Sequence, residues 1–345
     1  MSQDVWPLGV EPGQAVEIDV FRPQDAPGVV ALFKAVYGDG YPVNLYYNTE
    51  ALLRANESGR LISIVSRTPR CEVVGHISLF DSAPNPKLFE LGAGAVLPSY
   101  RRTARLLTRM MSYGPKATAE RFGLEAVFGD PVCTHVYSQK ICKGLGWVTH
   151  ALELDLMPAS LYNPAAEPGD RISATMDFIT LVPNPHTVYL PKEYADIFRF
   201  LYQGLDDNRN LGTSDQPLPR GLTTRISRKV YEVSQLARLA VWVIGTDWAK
   251  AFIKEEETVL GQGSQVIQVW LPLIYPWIGP AVELLRQRGY FLGGLMPRWF
   301  GHDGMLMQRL ANPPHWGNIQ LEYDRAKTLL DLVRKDWQEV CQTAS

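Results

Sequence analysis

Two adjacent arginines, Arg101 and Arg102, lie in the stretch "GAGAVLPSYRRTARLLTRMM" (92–111), between an apolar strand-like run and a helical one. The first N–H groups of a helix lack intrahelical acceptors, and the helix dipole adds partial positive charge there. Guanidinium groups at the same point make a place for an anion, phosphate above all. Other chemistry finds little support in residue spacing. The six histidines form no HxH or HExxH pattern, so no metal is expected. No GxxxxGK[ST] or GxGxxG joins a strand to a helix, and Gly92-x-Gly94 reads as strand thinning or a bulge. Cys71, Cys133, Cys142 and Cys341 lack CxxC spacing and are expected as reduced thiols.

These side chains need a frame. "GQAVEIDVFRPQD" reads as a strand and "APGVVALFKAVYG" as an amphipathic helix. "YYNTEALLRANESG" reads as a second helix, with Asn48 or Thr49 as cap and Asn56–Gly59 as stop. The strands "RLISIVSRT", "CEVVGHISLF" and "LFELGAGAVL" follow, then the basic helix. "LEAVFGDPV", "YSQKICKGLGW" and "VTHALELDLM" complete the order β-α-α-β-β-β-α-β-α-β. The second half repeats part of this order: strand "QVIQVWLPL", Pro272, helix, "RGYF", strand "DGMLMQRL". It has no arginine-rich turn, and its tryptophans, Trp242, Trp248, Trp270, Trp277 and Trp299, must fill a core or bury against a neighbour. The expected organisation is a first domain over 1–160, a Pro/Ala-rich linker over 161–174, a second domain over 175–312 and a C-terminal helix over 313–345.

A chain of 345 residues with 46% hydrophobic and 20% charged residues has the makings of a soluble globular protein of two domains. Its formal charge of −2 gives no general pull toward nucleic acid or an anionic membrane, so an anion site must be local. No apolar run approaches the roughly 20 residues of a membrane span, and residues 1–14 lack the basic and apolar regions of a signal peptide. A cytoplasmic protein, monomer or homodimer, is expected.

Residues 17–157 resemble a GCN5-related N-acetyltransferase (GNAT) domain. The family signature is a strand, a turn of the type V-x-P-x-x-R/Q-x-x-G-x-G/A and a helix. It is matched by Val96-Leu97-Pro98-Ser99-Tyr100-Arg101-Arg102-Thr103-Ala104-Arg105-Leu106, with Leu106 where the family has a small residue. A second element, strand, polar turn and helix ending in Gly-aromatic, is matched by "FGDPVCTHVYSQKICKGLGW". The resemblance implies an α/β (α+β) fold: tandem GNAT-like domains, each a mixed, mostly antiparallel twisted sheet flanked by helices, the second degenerate.

It further implies an acyl-CoA-dependent N-acyltransferase. Acetyl-CoA or another acyl-CoA would be the co-substrate, and a small-molecule amine or a protein lysine the acceptor. Backbone amides over Arg101, Arg102, Thr103, Ala104, Arg105 and Leu106 would hold the pyrophosphate, and the strand near Val96 would pair with the pantetheine arm. Glu90 stands eleven positions before Arg101, the spacing of the catalytic glutamate in the family's histone acetyltransferases. His135 occupies the place of the family's usual asparagine and is suited to act as acid or base, or to bond pantetheine or acceptor, with Ser138 beside it. Cys142 holds the place of the family's general-acid tyrosine. The first interhelical loop lines the acceptor site in the family, so Tyr37, Asp39 and Tyr41 would form an aromatic, mildly acidic wall. The rival readings are an acyl-CoA sensor without turnover and a protein-interaction module on the same scaffold.

Overall fold

The computed structural model describes residues 9–101, 105–161, 165–205 and 208–343. The chain falls into two compact units, Met1–Gly129 and Asp130–Ser345. Residues 171–174, read above as the end of a linker, form the start of a strand.

The first unit runs β1 (Glu17–Val20), α1 (Ala26–Tyr37), α2 (Thr49–Glu57), β2 (Leu61–Arg67), β3 (Val73–Phe80), β4 (Leu88–Val96), α3 (Pro98–Arg101), α4 (Leu106–Phe122) and β5 (Ala126–Gly129). The strands order as β1-β2-β3-β4-β5, antiparallel except for the β4–β5 pair. Every residue of β2, and of β3 up to Leu79, is buried, so both faces of the central strands are covered. α1 presents Ala26, Val29, Leu32 and Phe33 to the core at helical spacing. Its start is fixed by Asp25, which pairs in the interior with Arg67. Asn48 caps α2 by accepting the Ala51 N–H at 2.9 Å.

The second unit runs α5 (Tyr137–Gly144), β6 (Val148–Pro158), β7 (Arg171–Thr180), β8 (Thr187–Leu190), α6 (Ala195–Tyr202), β9 (Asn210–Thr213), β10 (Arg225–Tyr231), β11 (Leu236–Val243), α7 (Trp248–Gly261), β12 (Val266–Pro272), α8 (Ile278–Gln287), β13 (Phe291–Met296), β14 (Gly304–Leu310) and α9 (Asp324–Thr343). Its main sheet orders as β7-β6-β13-β14-β12-β11-β10, antiparallel except for β11–β12. β8 and β9 form a separate parallel pair. Trp248 and Trp299 are among its largest fully buried side chains, and Trp270 packs edge-on to Trp299 at 4.8 Å. Those tryptophans fill the core of their own unit. The fold class is thus the expected one, mixed α/β with a mostly antiparallel sheet and flanking helices.

The arrangement β3-β4-α4-β5 in the first unit has a counterpart in β10-β11-α7-β12. Each is an antiparallel pair followed by a helix that returns the chain to a parallel neighbour.

Candidate donor and acceptor site

β4 carries the site of the first unit. It pairs with β5 only from Leu88 to Glu90, so Leu91–Val96 have β3 as their one strand partner among the described residues. On the β3 side, His76 faces Ala95 and Ser78 faces Gly92, which leaves two β4 residues, Ala93 and Gly94, opposite Ile77 alone. This is a β-bulge, as the Gly92-x-Gly94 spacing suggested. Ala93 sits in the left-handed region at φ +49°, a conformation costing an L-residue roughly 1–2 kcal/mol.

Two side chains hold the bulge. His76 Nδ1 lies 3.1 Å from the Ala93 carbonyl oxygen, and the Tyr37 hydroxyl donates to the Gly94 carbonyl at 2.6 Å. His76 Nε2 lies 3.1 Å from Ser63 Oγ and 3.4 Å from Ser78 Oγ, and the Tyr46 hydroxyl donates to Ser78 at 2.9 Å. Burial pushes the His76 imidazole down to about 4, against a smaller upward pull from the Ala93 carbonyl. The ring is neutral at physiological pH.

An aromatic group packs over this network. Phe33 stacks on Tyr46 at 4.4 Å, Tyr41 meets Phe33 edge-on at 5.0 Å, and Tyr37 lies 5.0 Å from Tyr41. Tyr37 and Tyr41 therefore come together beside the bulge, while Asp39 lies exposed in the turn after α1. Glu90 is half-buried where β4 parts from β5. Burial raises the Tyr46 phenol well above its ordinary value, and the Glu90 carboxylate adds to the rise.

At the far end of β4 the helix is shorter than its sequence suggested. α3 is a single turn, and the Arg101 Nε–H donates to the Val96 carbonyl at 3.0 Å. Arg102, Thr103 and Ala104 lie outside the described residues. Arg105 is left-handed (φ 44°, ψ 41°) and α4 begins only at Leu106. The first bond along α4 runs from the Arg109 N–H to the Arg105 carbonyl at 3.0 Å, and the Arg105 side chain caps nothing. The leading amides of α4 thus stand beside the exposed Arg101 and Arg105. Leu106 is fully buried over Gly75, where an added Cβ would come within 3.2 Å of its Cδ2. Its bulk turns into the core, and only its backbone remains at the turn.

His135 and Ser138 belong to the second unit, so the two catalytic candidates Glu90 and His135 fall in different units. His135 Nδ1 and Ser138 Oγ are buried without a hydrogen-bond partner among the described residues. Burial, with the charges of Asp177 and Asp130, raises the Cys142 thiol far above its usual range and keeps it protonated.

The corresponding place in the second unit is filled by its own chain. β11 parts from β12 beyond Ala240 and Trp270. The carbonyls of Trp242 and Ile244 that follow accept from the Tyr275 hydroxyl at 2.9 Å and the Trp277 indole N–H at 3.0 Å. Ahead of α7, the Gly245 N–H donates to Thr224 Oγ1 at 3.0 Å, and the Thr246 N–H and hydroxyl both donate to the Leu222 carbonyl at 3.1 Å. Glycine is required at 245, since a Cβ would lie 2.3 Å from the Leu222 carbonyl oxygen.

No family model and no curated protein matches the chain. Among solved structures, it is similar to a GNAT-family acetyltransferase from Streptococcus pneumoniae, at 14% identity over 48% of this chain and 100% of that one (TM-score 0.40). It is also similar to the ribosomal-protein-S5-alanine acetyltransferase from Vibrio fischeri, at 12% identity over 48% and 92% (TM-score 0.38). A third is the spermidine N-acetyltransferase from Vibrio cholerae, solved with CoA and spermine, at 8% identity over 48% and 95% (TM-score 0.37).

Proposed function

We propose that the protein is an acyl-CoA-dependent N-acyltransferase of the GNAT type, transferring an acetyl or other short acyl group directly to an amine. The observation that carries this reading is the course of β4. It pairs with β5 for three residues, bulges, continues without that partner and leads through a basic turn to the start of a helix. An extended pantetheine arm would pair with the unaccompanied edge of β4 near Val96. Its pyrophosphate would take the leading amides of α4, with Arg101, Arg102 and Arg105 adding charge and residues 101–106 forming the cradle. The donor set fits such a ligand, since amides and guanidinium groups suit phosphate oxygens.

In this reading Tyr37, Asp39 and Tyr41 hold the amine, whether a small molecule or a protein lysine. The amine nitrogen attacks the thioester carbonyl, and Glu90 takes its proton directly or through water. A β4 amide holds the oxyanion while the new C–N bond forms, after which the C–S bond breaks and the thiolate leaves to be protonated. His135 and Ser138 are the candidates in the second unit for bonding the pantetheine or the acceptor. The second half is read as a degenerate, GNAT-like domain that binds no coenzyme A, because the Gly245 and Thr246 N–H groups ahead of α7 are already engaged and no arginine-rich turn precedes that helix.

Thiol release from acetyl-CoA, measured against a panel of primary amines, tests the reaction. Glu90→Gln should retain coenzyme A binding and lower turnover by roughly 10²–10⁴-fold. Saturable coenzyme A binding without thiol release on any amine would favour the sensor reading.

A further inference from the structure

We propose that His76, on the strand beside β4, is a positioning residue that aims a β4 backbone amide at the reacting carbonyl by gripping the bulge from behind. This rests on the acyltransferase reading above and names the residue that sets the geometry of its oxyanion donor.

The peptide unit is planar and trans, so the carbonyl of one residue and the N–H of the next point in opposite directions. In a regular strand successive carbonyls alternate sides. At the bulge the left-handed Ala93 breaks that alternation. Both carbonyls that follow its turn are then held by side chains, Ala93 O by His76 Nδ1 and Gly94 O by the Tyr37 hydroxyl. Holding Ala93 O against His76 sends the Gly94 N–H away from the ring. A preorganised donor of this kind costs no reorganisation as charge develops on the substrate oxygen.

The hydrogen bonds also define the form of the ring. A carbonyl oxygen cannot donate, so the contact with Ala93 requires a proton on Nδ1. Nε2 is then an acceptor, and the Ser63 hydroxyl at 3.1 Å is placed to donate to it. Ser63 in turn receives the Asn56 side-chain N–H at 3.3 Å. Ser78 is fixed from the other side by Tyr46. The ring is fully buried and edge-on to both Phe33 (5.4 Å) and Tyr46 (5.5 Å), so its plane is set by packing as well as by bonds. Such a ring gives a single orientation and a single tautomer, which is what a positioning role needs. It does not reach the reacting atoms and takes no proton from them.

The test is a set of full-length variants assayed for thiol release and for coenzyme A binding. His76→Leu removes the donor and should lower kcat by tenfold or more, with the coenzyme A Kd unchanged within twofold. His76→Asn carries an amide N–H near the place of Nδ1 and should recover most of that loss. Tyr37→Phe, at the partly exposed end of α1, removes the bond to the Gly94 carbonyl and leaves His76 in place, so a smaller fall in kcat is expected, with any rise in the amine KM reporting its place in the acceptor wall. Wild-type kcat in His76→Leu, or equal loss in the Leu and Asn variants, overturns the proposal. A second readout is independent of turnover. Nitrogen-15 NMR of the wild type should show the Nδ1–H tautomer of His76, and the single sharp amide resonance of Gly94 should shift and broaden in His76→Leu while β2 amides keep their positions. An Nε2–H tautomer or an unchanged Gly94 amide resonance overturns the proposal as well. If wild-type protein turns over no amine, the acyltransferase reading fails and these two measurements still decide whether His76 holds the bulge.

Discussion

Arg101 holds one partner in this geometry and has donors left for another. Its Nε–H closes the end of β4 on the Val96 carbonyl, and the rest of an exposed guanidinium remains at the turn. With Arg102 it should contribute charge-assisted bonds to a pyrophosphate, each worth about 1.5–3 kcal/mol. The double variant Arg101→Ala/Arg102→Ala should therefore weaken coenzyme A binding at least tenfold, as read by titration calorimetry. Equal affinity in wild type and variant would remove these residues from the donor site. The arginine pair and Glu90 could be read from the sequence because their spacing from a proline turn is local. His76 could not. It is one imidazole in the apolar run "CEVVGHISLF", and of its partners only Ser78 is local, while Ser63 and Ala93 are brought to it by the pairing of β3 with β2 and β4. A polar residue amid strand-forming side chains is the only trace it leaves.

At the scale of elements, apolar periodicity located the strands and helices of the first unit because each buries one face or both. The start of α4 was misplaced for a definite reason. Arg101 and Ala104 are good helix formers, and nothing in composition marks Arg105 as left-handed. The loop that closes the second unit's slot was equally hidden, since Leu222 and Thr224 find Gly245 and Thr246 only through folding. Between β6 and β7 another element-level property emerges. Asp177 is fully buried, and burial pushes its carboxyl up to about 6 even though hydroxyls of Thr149, Thr175 and Tyr323 pull it back. Thr149 donates to it at 2.6 Å. A carboxyl raised in the folded state contributes stability that is complete below about pH 4 and is lost as pH rises through about 6. The loss is on the order of 3 kcal/mol at most, from a shift of about two pH units. Asp177→Asn should flatten the stability profile between pH 4 and 7 without lowering stability at pH 7. Denaturant unfolding at several pH values checks it, and an unchanged slope would show that Asp177 is not the titrating group.

At the scale of the whole molecule, the chain contains two versions of one device, a strand parting from its parallel neighbour ahead of a helix. Side chains hold the strand carbonyls in both, Tyr37 and Arg101 in the first unit and Tyr275 and Trp277 in the second, and the two differ at the turn ahead of the helix. In the first unit the edge of β4 beyond Glu90 lacks the β5 partner and leads to a basic turn. In the second the strand carbonyls and the groups before α7 are bonded to Tyr275, Trp277, Leu222 and Thr224. Opening that slot would expose the half-buried Tyr275 and Trp277 rings, stacked at 5.0 Å, and would leave several polar groups without partners. Each of these part-buried or exposed hydrogen bonds is worth about 0.5–1.5 kcal/mol, so the five together are comparable with two or three charge-assisted bonds to a phosphate, and exposing the two rings adds to the cost. The sequence hinted at this through the missing arginines, but the plug itself depends on contacts between residues 21 to 33 positions apart. Coenzyme A should therefore bind with a stoichiometry of one per chain. Calorimetric titration of the full-length protein checks the number, and repeating it with Arg101→Ala/Arg102→Ala locates the site. Two sites per chain, or a second phase that survives the double substitution, would show that the second unit opens and binds after all.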